Sequence, residues 1–127
     1  MNDSILKRNG ANFYGFESID SSGKHHFHLI EMRGNGDLVL TENEISFNQW
    51  IVGNKYHIPL NRVTKVDVQA WHNLKIKFPQ KVLRIYYQED GETKIFGVSV
   101  GGQLSITKGW KDDAYLWKEK IESLLNK

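Results

Sequence analysis

The feature that most constrains this chain is a change of period. From about residue 24 to residue 100, apolar side chains recur at every second position. From Trp110 onward they recur at every third or fourth. Alternation at period two is the signature of half-buried strands, because successive side chains in a strand point to opposite faces. Trp110, Ala114, Trp117, Ile121 and Leu124, spaced 4, 3, 4, 3, form one stripe of a helix. Strands followed by one amphipathic helix predict a mainly β domain in which the helix covers the side that the sheet leaves open.

Turn residues punctuate the alternating region. Lys24–Met32 reads as the first clear strand, and Arg33-Gly-Asn-Gly-Asp37 as a turn. Leu38–Leu40 follows, then the turn Thr41–Glu44, then a strand carrying Ile45 and Phe47. Gly53-Asn54 predicts a two-residue hairpin joining Trp50–Val52 to Lys55–Ile58. Val63–Trp71 reads as one strand, and Leu74, Ile76 and Phe78 alternate with Lys75 and Lys77 up to Pro79. Asp90-Gly91 predicts a second hairpin between Val82–Tyr87 and Thr93–Val100. Before Lys24, Ala11–Phe16 reads as a strand or an arm. The helix is expected over 110–126, with Asp112 and Asp113 near its start complementing the dipole. Leu38, Leu40, Phe47, Val66, Ile85, Phe96, Trp117 and Ile121 are expected to share one core.

A length of 127 residues suits one domain spanning 1–127, with 1–33 as an N-terminal extension carrying additional strand or strands. The absence of cysteine removes disulfides, thiolate metal sites and cysteine nucleophiles together. No apolar run approaches the ~20 residues that span a bilayer. The polar start Met1–Arg8 lacks the apolar stretch of a signal peptide, so the expected location is cytoplasmic.

Gly36-Asp-Leu-Val-Leu-Thr41, then Ile45-Ser-Phe47, then Ile58-Pro-Leu60 with Val63 and Val66, resembles the pleckstrin-homology-like (PH-like) superfold, including its GRAM and bacterial members. The terminal helix fits the same pattern, and the resemblance covers residues 36 to 125. It implies a partly open antiparallel barrel or two-sheet sandwich of about seven strands closed by one C-terminal α-helix. It also implies a non-catalytic binding module. The acidic turn Thr41–Glu44 carries none of the clustered basic residues with which phosphoinositide-binding relatives hold a headgroup.

The net charge of +2 is unevenly placed. From His72 to Gln88 there are Lys75, Lys77, Lys81 and Arg84, and neither Asp nor Glu. If 74–78 paired with 82–86 around Pro79-Gln80, then Lys75, Lys77 and Arg84 would share one outward face. These four residues, with Trp50 in an apolar run beside a hairpin tip, are the expected contacts for a protein partner or an anionic lipid surface. A nucleic-acid partner would want a larger basic footprint interleaved with aromatics. His26 and His28 share a strand face, but nothing in the sequence completes a metal site with them or with His57, and no cofactor is expected. Neither Gly34-Asn-Gly36 nor Gly101-Gly102 has the context of a phosphate-binding loop. No nucleophile elbow or other catalytic signature is present, so no enzyme is expected. The alternative is a small-molecule-binding or catalytic β-barrel. A polar, titratable cavity would mark that alternative, and a barrel filled by Leu, Ile, Val and Phe would mark the module.

Overall fold

The computed structural model describes residues 4–27, 34–51, 53–73, 75–76 and 79–126. In chain order the strands are β1 (Leu6–Ile19), β2 (His25–Phe27), β3 (Gly34–Leu40), β4 (Glu44–Gln49), β5 (Lys55–Pro59), β6 (Val63–Gln69), β7 (Trp71–His72), β8 (Lys75–Ile76), β9 (Val82–Glu89), β10 (Glu92–Ser99), β11 (Gly102–Ser105) and β12 (Gly109–Asp112). A 3-10 turn at Leu60–Arg62 joins β5 to β6, and the helix α1 (Ala114–Leu125) follows β12. The main sheet is antiparallel, in the order β5-β4-β3-β1-β10-β9-β6, with β2 pairing on β1. Strands β7–β8 and β11–β12 form two separate small hairpins. This is the expected fold class: a sheet of about seven principal strands and one C-terminal helix.

The 14-residue β1 runs through the middle of the sheet order. Its first half pairs with β3, from Leu6↔Leu40 to Phe13↔Gly34. Its second half pairs with β10, from Asn12↔Ser99 to Ile19↔Thr93. Register shifts fall between Asn9 and Ala11 and between Phe13 and Gly15. Gly10 (φ 84°) and Gly15 (φ 94°) take the left-handed conformation that such bulges need. Two bulges re-aim the strand so that it serves both halves of the sheet. They also break its alternation, which is why residues 11 to 16 read ambiguously as sequence.

All eight expected core residues lie in one buried cluster with Ala11, Phe13, Ile45, Ile58, Leu83, Val98 and others. Phe13 is its aromatic centre: its ring lies 5.2 to 5.6 Å from those of Phe16, Phe47, Tyr56 and Phe96. Trp117, Ile121 and Ala114 bury the inner face of α1 against this cluster.

Several local expectations are corrected. Trp110 is not on the helix but on β12, opposite Leu104. Gly109 (φ 75°) turns the chain into that hairpin, and Asp112 then ends it and starts the helix. The Asp112 carboxylate accepts from the Ala114 amide (2.9 Å), the Trp110 indole (3.0 Å) and the Lys81 amide (2.7 Å). Asp113, the N-cap, makes no side-chain capping bond. Gly34 to Asp37 is strand, not turn. Gly36 is required there because a Cβ would collide with the Asn48 backbone. Trp50 and Ile51 belong to the β4–β5 turn, which Gly53 (φ 72°) and the bonds Gln49 N–H to Asn54 O and Gly53 N–H to Gln49 O close. Asp90-Gly91 is the expected hairpin, with φ of 54° and 78°. Val63–Trp71 breaks at Ala70, β9 pairs with β6 and β10, and β8 pairs with β7; Leu74, Lys77 and Phe78 of the expected strand lie outside the described residues.

Trp117 is 3% exposed at the centre of the helix stripe. We expect Trp117→Ala to lower unfolding stability by roughly 3–5 kcal/mol, read from the denaturant midpoint at constant slope.

Candidate functional site

Arg84 does not stand on the outward face expected of it. Arg84 is 4% exposed and sits opposite Gly97 on β10 and Asp67 on β6. The outer face of β9 is roofed by the hairpin Trp71–Ile76. Lys75 lies in β8 opposite His72, and its side chain, like all of Lys77, lies outside the described residues. Lys81 is half-buried, with its amide on Asp112. Trp50 is 55% exposed.

Beneath that roof is a buried charge network organised by Glu17 of β1, which is completely shielded from solvent. Its Oε1 accepts from Arg84 Nη2 (3.1 Å) and His25 Nε2 (2.5 Å), and its Oε2 accepts from the Asn73 amide (2.5 Å). His72 Nδ1 is 3.4 Å from Oε2, while its Nε2–H donates to the Gly15 carbonyl at 2.8 Å. The imidazole of His72 fills the space a Cβ on Gly97 would take. Asn73, at φ 53°, makes the turn that aims its own amide at the carboxylate. The Arg84 guanidinium stacks 4.9 Å from the Trp71 ring centre, with its Nε 3.8 Å from Asp67. Tyr86 donates to Asp67 at 2.9 Å; burial and that bond push its hydroxyl up to about 12. Tyr14, Val82 and Ile95 are buried as well, yet lie outside the main core cluster. The roofed face is therefore a second interior.

Burial works to raise the Glu17 carboxyl. The Asn73 amide, the attraction of His72, the His25 hydrogen bond and Arg84 outweigh it and hold the group below its ordinary range. With its oxygens committed to these donors, the arrangement suits a clamp on the hairpin better than proton transfer.

Two surface features bear on the expected contacts and on the alternative reading. An open cleft of about 380 Å³ lies beside β5, lined by the aromatic Phe16, Tyr56 and Tyr87, by Glu17, and by Lys55, His57, Glu89 and Lys94. The charges largely pair: Lys94 with Glu89 at 2.6 Å, raising the Lys94 ammonium, and His57 with Glu44 at 2.7 Å. The other is a polar pocket of about 120 Å³ where β1 parts from β10 beyond the pair Asn12↔Ser99. Arg8, Gly10, Asn12, Asn35, Gln80 and Gly101 line it. The Trp50 ring lies 3.5 Å from where a Cβ on Gly10 would stand, and the Gln80 Oε1 accepts from Ser99 at 2.7 Å. Of the expected contacts, the structure leaves Trp50 exposed and buries Arg84.

His26 bonds Asp20 at 2.9 Å, and His57 bonds Glu44, so these two histidines have different partners; His28 lies outside the described residues. Among the described residues no group of three or more His, Asp or Glu could hold a metal. Sequence reading missed Glu17, Asn73 and the β11–β12 hairpin. The available signal for that hairpin was Leu104 and Ile106 alternating between Gly102 and Gly109.

With this geometry in hand, the fold is PH-like. Among solved structures the chain is similar to the Vps36 N-terminal PH domain, with a TM-score of 0.59 and 16% identity, over 98% of this chain and 80% of that one. No family model matches the chain, and no curated protein does. At such identity the likeness is one of fold.

The clamp has a pH signature. A carboxyl with a depressed native pKa contributes stability that is present above the unfolded value, here 4.5, and lost as pH falls through the native one. We expect Glu17→Gln to cost roughly 3–5 kcal/mol at neutral pH, because it leaves Arg84 buried and unpaired. We also expect the variant to lose less stability than the wild type when acidified below that value. Urea midpoints measured across this range check both.

Proposed function

We propose that this chain is a non-catalytic binding module of PH-like fold that engages a protein partner or an anionic surface from its outside, in the cytoplasm. The observation that carries the reading is the filled interior. Phe13, Leu38, Phe47, Leu83, Ile85, Phe96 and Val98 occupy the space inside the sheet that an internal ligand would need. Among the described residues no helix is long and apolar enough to cross a membrane.

A second reading, a small-molecule-binding or catalytic barrel, is favoured by one feature, the 380 Å³ cleft, whose size falls in the range of ligand pockets. Against it stands the engagement of its titratable groups elsewhere: Lys94 with Glu89, His57 with Glu44, and Glu17 with Arg84 and the Asn73 amide.

The basic segment remains a proposed contact through Lys75, Lys77 and Lys81. Arg84 acts there at one remove, by stacking on Trp71 of the hairpin that carries Lys75. The two roles separate experimentally. We expect Lys75→Glu with Lys81→Glu to weaken binding to acidic liposomes or to an acidic protein partner at low salt, with little change in thermal midpoint. Arg84→Glu, which opposes Glu17 in a buried site, should instead lower the midpoint steeply. Equal binding by the wild type and the lysine double variant would remove this segment from the contact.

A further inference from the structure

Two turns of this chain carry aliphatic side chains fully into water. In the β4–β5 turn Ile51 is 98% exposed beside the half-exposed Trp50. In the β11–β12 hairpin Leu104 is 80% exposed and Ile106 wholly so. Both turns are rooted on the pocket where β1 parts from β10. Trp50 rests on Gly10, its amide donates to the Asn35 carbonyl (3.0 Å), and the Asn35 side chain donates to the Gly10 carbonyl (3.0 Å). The hairpin springs from Gly101, against which the Arg8 guanidinium lies. Gly10, Asn35, Gly101 and Arg8 all line that one pocket.

The surrounding charge is mostly positive. Residues 45 to 66 contain no acid and include Lys55; residues 93 to 111 contain none and include Lys108 and Lys111. The nearby acids are Asp112, whose oxygens are taken by Ala114, Trp110 and Lys81, Asp113, whose amide donates to the Gly101 carbonyl (2.9 Å) at the hairpin root, and Asp37, opposite Asn9 on the β1–β3 ladder.

We propose that this face docks on an anionic lipid bilayer, with Ile51, Leu104 and Ile106 entering the acyl boundary, Trp50 at the headgroup level, and Arg8, Lys108 and Lys111 on headgroup phosphates. The inference rests on the binding-module reading and names its partner. Its chemistry separates a bilayer from a protein. A stable protein interface centres on a fully buried, more apolar patch inside a polar rim. Here the apolar groups stand on two separate turns with a polar, cationic pocket between their roots. A fluid interface accepts that arrangement, because each tip needs to sink only about 5–10 Å and cations at its base stay with the headgroups. Tryptophan favours the same depth.

The test is sedimentation of the whole chain with phosphatidylcholine vesicles, with and without phosphatidylglycerol, at low and high salt. The wild type should bind the anionic vesicles, weakly or not at all the neutral ones, and less at high salt. Ile51→Ser with Ile106→Ser should lose about tenfold or more in partitioning, since each removes a buried aliphatic group from the interface, at an unchanged thermal midpoint. Tyr115→Ser, on the exposed side of α1, is the control and should bind as wild type. Brominated acyl chains should quench tryptophan fluorescence in the wild type and much less in Trp50→Phe.

Undiminished binding by the double serine variant would overturn the proposed face while leaving the module reading in place. A wild type that binds neither vesicle would overturn the membrane as partner, and the protein alternative would stand. So would capture of a defined protein that the double serine variant no longer binds. Failure of the module reading itself would look different: a small molecule held in the cleft beside β5, with vesicle and protein binding both absent.

Discussion

Strand β1 hydrogen-bonds along both edges, to β3 over its first half and to β10 over its second, and the two halves are not in the same plane of register. A regular strand cannot do this without turning its core side chains outward part way along, since a slip of one residue inverts every face. Gly10 and Gly15 absorb the slip as two bulges. One result is that Phe13 and Phe16, three apart in sequence, both join the aromatic group around Phe96. Another is that Glu17, one residue further, faces the opposite side. A third is the gap where β1 leaves β10, from whose walls both exposed turns rise. Core, clamp and candidate docking face all follow from how this strand is bent.

The clamp carries an energetic tension. A carboxylate shielded from water loses solvation worth several kcal/mol, and an ion pair alone seldom restores it. Here the restoration is shared. Arg84 supplies charge, the Asn73 amide a hydrogen bond with no side-chain entropy to lose, and His25 and His72 further polar contact. An apolar hairpin of similar volume could cover the same face at no such cost. What the polar version adds is register. Asn73 at φ 53° presents its amide to Glu17 in one seating of the hairpin, and His72 finds room only over Gly97. Greasy surfaces slide, whereas this contact has one fit.

How far the sequence was legible follows from the same geometry. Where strands are regular, as in β4, β9 and β10, alternation identified the elements, and all eight named core residues lie in one cluster. Where bulges shift parity, as in β1, alternation had nothing regular to find. The helix was recognisable, but its start was placed four residues early, because Trp110 happens to extend the stripe of Ala114 and Trp117. Only Gly109 and the bonding of Asp112 separate strand from helix there. Arg84 was misplaced for a deeper reason. Its alternation was read correctly as facing away from the main core. What a linear pattern cannot convey is that a second element, the hairpin 71–76, lies across that face and makes it an interior. The carboxylate that neutralises Arg84 is 67 positions away in sequence, so an acid-free segment looked like a basic surface.

Local charge counts therefore say little about exposed potential until the folded partner of each charge is known. The reverse also holds for apolar residues. Leu104 and Ile106 alternate like core residues of a short strand, yet the two-stranded hairpin that holds them packs nothing over them. A hairpin of four residues a side is marginal alone. This one is anchored at its base, through Asp112 to Lys81 and α1, and not along its length. Stability at the root and bare aliphatic groups at the tip make a projection whose shape is kept while its end stays unsatisfied in water. With the main interior filled, the most exposed aliphatic side chains among the described residues are Ile51, Leu104 and Ile106, on such projections. The proposed docking face takes the turns on which they occur together with positive charge.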